Sequence, residues 1–145
     1  MAASQDALRL ERRGVLDAAC QVSFRLPAVG SSVAEARRRV RTRLRDWGAA
    51  DEVRDDTEMV VSELFTNAVR HTTSERITCG LSFTRGIVRV EVTDQGSFLT
   101  QPQQRAPGLD EEGGRGLLLV GALATSWGVC PGETGRGRTV WAELS

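Results

Sequence analysis

The sequence predicts an α/β fold, and three observations predict it. Five short stretches alternate polar and apolar residues or run apolar over strand length, and three longer ones repeat apolar residues every three or four positions. The two kinds interleave along the chain, which is the pattern of a sheet covered by helices. Two of the strand-like stretches, ITCGLSF (77–83) and IVRVEVTD (87–94), are separated only by Thr84-Arg85-Gly86, the mark of a hairpin. At 145 residues and 40% hydrophobic composition, the chain is about one domain long and can bury a core without staples.

In chain order, residues 1–20 show no sustained period and read as a tail or short extension, ahead of one domain over 21–145. Val22, Phe24 and Leu26 alternate with Gln21, Ser23 and Arg25, a half-buried strand that Pro27 stops. Ser31 or Ser32 then caps a helix running to about Trp47, with Val33, Ala36, Val40 and Leu44 on its apolar face and Gly48 at its end. Asp55 or Asp56 can cap a second helix that continues to His71. The turn-like TTSE and the hairpin follow. Residues 96–113 are polar and rich in Pro, Gln and Gly, a loop longer than the ~12 residues beyond which loops are functional or mobile. GLLLVGALA (116–124) reads as a third helix, SWGVC (126–130) as a short strand, PGETGRGR as a turn and TVWAEL (139–144) as the last strand.

Composition excludes several classes. No apolar run approaches the ~20 residues that span a bilayer, and MAASQDALRLERR lacks the apolar core of a signal peptide, so a cytoplasmic location and no membrane are expected. Cys20, Cys79 and Cys130 are odd in number and far apart, which fits reduced thiols and neither a disulfide framework nor a zinc site. All 19 basic residues are Arg, so no mechanism needing a lysine is possible, the Walker P-loop included. Acids and bases cancel, leaving no overall field toward nucleic acid. The first helix does carry Arg37, Arg38, Arg41 and Arg45 opposite its apolar face, with Arg39 and Arg43 beside them. Without interleaved aromatics or a DNA-binding motif, a solvated face is favoured over a nucleic-acid stripe. A surface for an acidic protein partner is compatible with either.

Three stretches carry candidate chemistry. At 100° per residue, Val60, Val61, Leu64, Phe65, Ala68 and Val69 of the second helix share one half of the wheel, and Glu63, Asn67, Arg70 and His71 form a row along its border. Such a row can wall a pocket with an apolar floor, or it can simply be a wet helix edge. In VEVTDQGS, Asp94 ends an apolar strand two residues before Gly96; a carboxylate there can accept a hydrogen bond from the exocyclic amine of a purine. In EEGGRGLLLV, glycines precede an apolar helix, where backbone N–H groups and the helix dipole favour an anion. Each of the last two is weak alone.

In order and spacing the three together resemble the Bergerat-type ATP-binding fold shared by DNA gyrase and sensor histidine kinases. The pattern is helical E-x-x-x-N-A, then D-x-G about 27 residues on, then a loop, G-x-G opening a helix, and a last strand after a Gly-rich turn. Within that superfamily, FRLPA, SELFTNAVRHT, VEVTDQG, GGRGLLLV and TVWAEL look like the small bacterial anti-sigma factors that double as serine kinases, of the actinobacterial type. The resemblance implies a two-layer α/β sandwich, with a mixed, mostly antiparallel sheet of about five strands covered on one face by three helices.

It also implies a site. Asn67 would bind the Mg²⁺ that bridges the phosphates of ATP, Asp94 would accept the adenine amine, and Gly96 would shape the adenine pocket. Gly114 and Gly116 would hold the phosphates, Thr139 would support the contacts around Asp94, and Glu63 would be the general base toward a partner's serine. With no lysine, Arg70, Arg105 or Arg115 must supply positive charge at the γ-phosphate; His71 fits a structural role better than a catalytic one. The implied partners are a sigma factor, which the protein sequesters, and an anti-anti-sigma factor, which it phosphorylates, with a homodimer formed through the N-terminal part. Two departures point to modest ATP affinity: Phe98 replaces the second glycine of D-x-G-x-G, and Asp110, Glu111 and Glu112 crowd the phosphate glycines. They leave an alternative, a non-catalytic partner-binding regulator with weak or vestigial ATP binding.

Overall fold

The computed structural model describes residues 20–72, 74–95, 114–131 and 137–145, with residues 114–116 described in backbone only. The elements are β1 (Gln21–Pro27), α1 (Ser32–Asp46), α2 (Asp51–His71), β2 (Arg76–Thr84), β3 (Ile87–Asp94), α3 (Gly114–Leu123), β4 (Ser126–Pro131) and β5 (Arg138–Leu144). The strands form one sheet in the order β1-β2-β3-β5-β4. All four pairings are antiparallel, so the described sheet has no parallel pair where a mixed sheet was expected. The tail, the loop 96–113 and most of the turn before β5 lie outside the described residues.

Alternation sorts the sheet into two faces. Ile77, Cys79 and Leu81 of β2, Val88, Val90 and Val92 of β3, and Val140, Ala142 and Leu144 of β5 are buried on one face, against Ala36, Val40 and Leu44 of α1 and Val60, Val61, Leu64 and Phe65 of α2. The other face carries Ser23, Thr78, Gly80, Ser82, Glu91 and Thr93, which with Arg89 line a depression of about 500 Å³. This is a two-layer α/β sandwich. The hairpin closes through Arg85 (φ 55°) and Gly86 (φ 79°); two consecutive positive φ values make the turn whose twist matches antiparallel strands. Burial in the apolar layer pushes the Cys79 thiol up to about 12, so it stays protonated; Cys20 and Cys130 are also free thiols.

α1 begins where the serines predicted, but Ser31 makes no side-chain cap; a turn with Ser32 N–H on Val29 O at 3.0 Å and Val33 N–H on Gly30 O at 3.1 Å leads into it. It ends as expected: Gly48 takes φ 81° and Ala49 N–H bonds Leu44 O at 2.9 Å. α2 corrects the expectation. It starts at Asp51, ahead of the Asp55 or Asp56 cap, after an extended Ala50. Asp51 and Glu52 sit in its first turn, where the helix dipole favours acids, and Arg54 bonds both Asp51 and the Ala49 carbonyl, holding the extra turn.

The helices are locked to each other by charge. Glu58 of α2, 6% exposed, accepts Nε of Arg41 at 2.8 Å and Nη2 at 2.5 Å from α1, with Arg37 at 3.9 Å. Such a forked pair fixes orientation as well as distance. No described helix is long and apolar enough to cross a membrane.

Candidate functional site

The C-terminal end of α2 lies at the end of the sheet where β3 stops, since the segment leaving it bonds the residue after that strand. Burial along the row is graded: Glu63 and His71 are half-buried, Arg70 is exposed, and Asn67 is 7% exposed. The helix therefore does not present a uniformly wet edge. The Asn67 Oδ1 is buried and has no hydrogen-bond partner among the described residues. A buried acceptor without a partner costs about 1–3 kcal/mol, so a folded protein keeps one chiefly where something else will satisfy it.

Asp94 closes β3 on the helix-facing side, in line with Val88, Val90 and Val92, and is 3% exposed. Its strand end is tied to the segment leaving α2. Ser74 Oγ accepts the Gln95 N–H at 3.4 Å, lies 2.6 Å from Thr72 Oγ1 and donates to the Arg76 carbonyl at 3.2 Å. These hydroxyls bring the end of the Glu63–Asn67 row and the Asp94 carboxylate to the same end of the layer.

Directly opposite Asp94 in the register stands Arg138, 6% exposed, with Nε 3.8 Å from Asp94 Oδ2. The guanidinium sets a positive charge beside the carboxylate, whose ionised form can only accept hydrogen bonds. The sequence reading missed this residue because it placed 138 in the turn. The signal was there: Val140, Ala142 and Leu144 face the core, so two-residue alternation puts 138 on the core face too, and an arginine there needs a carboxylate. Thr139, by contrast, lies on the opposite face, its hydroxyl 2.8 Å from that of Thr93. The structure thus does not bring Thr139 to the Asp94 carboxylate; its neighbour takes that place.

Gly114 and Gly116 lie in the first described turn of α3, which packs on α2, and the Arg115 side chain is outside the described residues. Gly96, Phe98, Arg105 and the acids Asp110–Glu112 are also outside them. Among the described residues no cluster of three or more His, Cys, Asp or Glu side chains could hold a metal. A cation at this site would need an amide oxygen and ligands from outside the protein, which is how Mg²⁺ is held beside phosphates. The orphaned Asn67 Oδ1 fits that requirement.

No curated protein shows a significant sequence match to the chain. Among solved structures, it superposes on the crystal structure of the RsbU and RsbW domains of Rv1364c from Mycobacterium tuberculosis, with a TM-score of 0.65 and 22% identity over 86% of this chain. The match spans 32% of that longer chain, so what the two share is the fold. Residues 26–143, from the last core position of β1 to the penultimate residue of β5, match the histidine kinase-like ATPase domain, and the chain belongs to that family.

Proposed function

We propose that this protein is an ATP-binding anti-sigma regulatory factor that sequesters a sigma factor and phosphorylates a serine of an anti-anti-sigma partner. The observation that carries the reading is the buried, unsatisfied Oδ1 of Asn67 in a chain of the histidine kinase-like ATPase family. The motif series SELFTNAVRHT, VEVTDQG and GGRGLLLV and the fold shared with an RsbW-containing protein support the regulatory side.

Each residue then has a task. Asp94 accepts the exocyclic amine of adenine, beside the positive charge of Arg138. Asn67 would offer a hard amide oxygen to the cation, and the backbone N–H groups of Gly114 to Gly116, at the start of α3, would hold the phosphates. Arg70 and Arg115 supply the positive charge that a lysine gives elsewhere. Glu63, one turn before Asn67 on the same row, accepts the proton of the partner's serine hydroxyl. Bound Mg-ATP supplies the phosphoryl group, so the protein's part is positioning and charge.

Isothermal titration of the intact chain with Mg-ATP, then phosphoryl transfer to a purified anti-anti-sigma partner, tests the reading. Asn67→Ala should lose Mg-ATP binding, and Glu63→Ala should lose transfer while keeping it. Transfer that survives Glu63→Ala would remove the assigned base. One observation favours the alternative of a non-catalytic regulator with weak nucleotide binding: Arg138 already engages the carboxylate meant for adenine. Absence of Mg-ATP binding at millimolar nucleotide would decide for it.

A further inference from the structure

β1 is an outermost strand of the sheet, and its hydrogen bonding can be assigned residue by residue. The Phe83 N–H donates to the Cys20 carbonyl at 3.0 Å, and the Ala28 N–H donates to the Glu75 carbonyl at 2.9 Å, at the two ends of the strand. In an antiparallel pair such bonds fall on alternate residues, so Val22, Phe24 and Leu26 exchange theirs with β2. The N–H and C=O groups of Gln21, Ser23 and Arg25 therefore point outward, and no described strand pairs with them. Unpaired edges of this kind invite another chain.

Beside this edge runs a groove of about 450 Å³ between β1 and α1, lined by Val22, Ser23, Phe24, Arg38, Arg39 and Arg43, with Glu35 at its wall. Three arginines against one carboxylate leave two positive charges. Arg39 lies over the Phe24 ring at 5.2 Å and also holds Glu35 at 2.7 Å, so one wall is apolar and cationic together. A strand added to β1 would place every second side chain on the helix side of the sheet, over these arginines.

We propose that the β1 edge and the arginine face of α1 form a strand-addition site for an extended segment of a partner protein with acidic residues at alternate positions. Charge complementarity selects this occupant. Residues 1–19 hold acids only at Asp6, Glu11 and Asp17, never two positions apart. A second copy of β1, with Arg25 and no acid, would bring two arginine-bearing helices together. The proposal does not depend on nucleotide binding.

Fluorescence anisotropy of the full chain with a labelled peptide Ser-Glu-Thr-Asp-Thr-Glu-Ser tests it, with a version carrying Lys at the three acidic positions as control. The acidic peptide should bind and the basic one should not. Ser23→Pro removes one outward N–H at an edge position where proline is tolerated, without touching charge, and should weaken binding at least tenfold. Arg38→Glu/Arg43→Glu, both on the exposed face of α1, should abolish it. Hydrogen exchange at Gln21, Ser23 and Arg25 should be fast in the free protein and slow with the acidic peptide. Failure of the acidic peptide to bind would overturn the proposal, as would binding indifferent to Ser23→Pro, which would be plain electrostatics. So would amides already protected in the free protein, since the edge would then be occupied by the chain itself or a second copy.

Discussion

The two halves of α2 bury polar groups in opposite ways. In the N-terminal half, Thr57 donates to the Val53 carbonyl at 2.7 Å and Glu58 is gripped by Arg41 from the neighbouring helix. Each buried side-chain oxygen there has a protein partner. In the C-terminal half, Asn67 is as buried as Glu58, yet its oxygen has none among the described residues. The same helix thus satisfies its buried side-chain oxygens at one end and leaves one without a described partner at the other. Under the proposed function a bound cation satisfies the Asn67 oxygen, so the two ends should respond in opposite ways when their polar groups are removed.

Four experiments can break or sharpen that contrast, taken from the largest expected effect. Arg138 stands opposite the buried Asp94 in the strand register, with Nε 3.8 Å from its carboxylate. Arg138→Met takes a guanidinium away from a carboxylate that is 3% exposed, and should destabilise the chain by about 3 kcal/mol. Adding Asp94→Asn should restore most of that loss in a denaturant titration, because no buried charge is then left without its counterpart. A single variant as stable as the wild type would show that Arg138 is not holding Asp94.

Asn67→Ala should show the reverse pattern. Alanine is the better helix former and removes an unsatisfied acceptor, so the melting temperature should hold or rise, by up to about 1 kcal/mol of stability. Mg-ATP affinity should fall by more than the ~10–100-fold that a supporting residue of a metal site costs. A loss of stability instead would mean that the Asn67 oxygen has a structural partner and that the contrast is false.

Glu58→Ala completes the exchange. Losing a forked, charge-assisted pair should cost about 1.5–3 kcal/mol, roughly 5–10 °C in melting temperature for a chain of this size. Nucleotide affinity of the folded protein should not change, because the pair lies in the other half of the helix. Stability and binding, measured on both variants, would then separate cleanly.

How much of this could be read from the chain alone follows from the range of each interaction. The Glu63–Asn67 row and the hairpin at Arg85-Gly86 are local, set by periods of 3.6 and 2 and by turn chemistry, and both were legible. The early start of α2 was not, because Ala50 is no standard cap and the stabilising contacts of Arg54 show only in three dimensions. Glu58 with Arg41 joins residues 17 apart, and Asp94 with Arg138 depends on a strand register. Thr139 was expected, by resemblance, to support the contacts around Asp94; the register pairs it with Thr93, and one residue along a strand is a change of face.

The smallest effect concerns a carboxylate that is satisfied but not buried. Hydrogen bonds from Arg38 and then Arg39 lower the Glu35 carboxyl from 4.5 to about 2. Since the folded value lies below the unfolded one, what the cluster adds to stability is present above about 4.5 and is lost as pH falls through about 2. The group is solvent-exposed, so water and salt screen the interaction and the melting temperature at neutral pH should barely register Arg38→Gln/Arg39→Gln. The titration itself should register it fully: the carboxyl carbon-13 shift of Glu35 should show a midpoint near 2 in the wild type and near 4.5 in the double variant. A midpoint near 4.5 in the wild type would mean that the three side chains do not hold together in solution. The same resonance reports on the groove beside it. An acidic strand drawn to Arg38 and Arg39 competes for the guanidiniums that hold Glu35 down, so its binding should raise the midpoint.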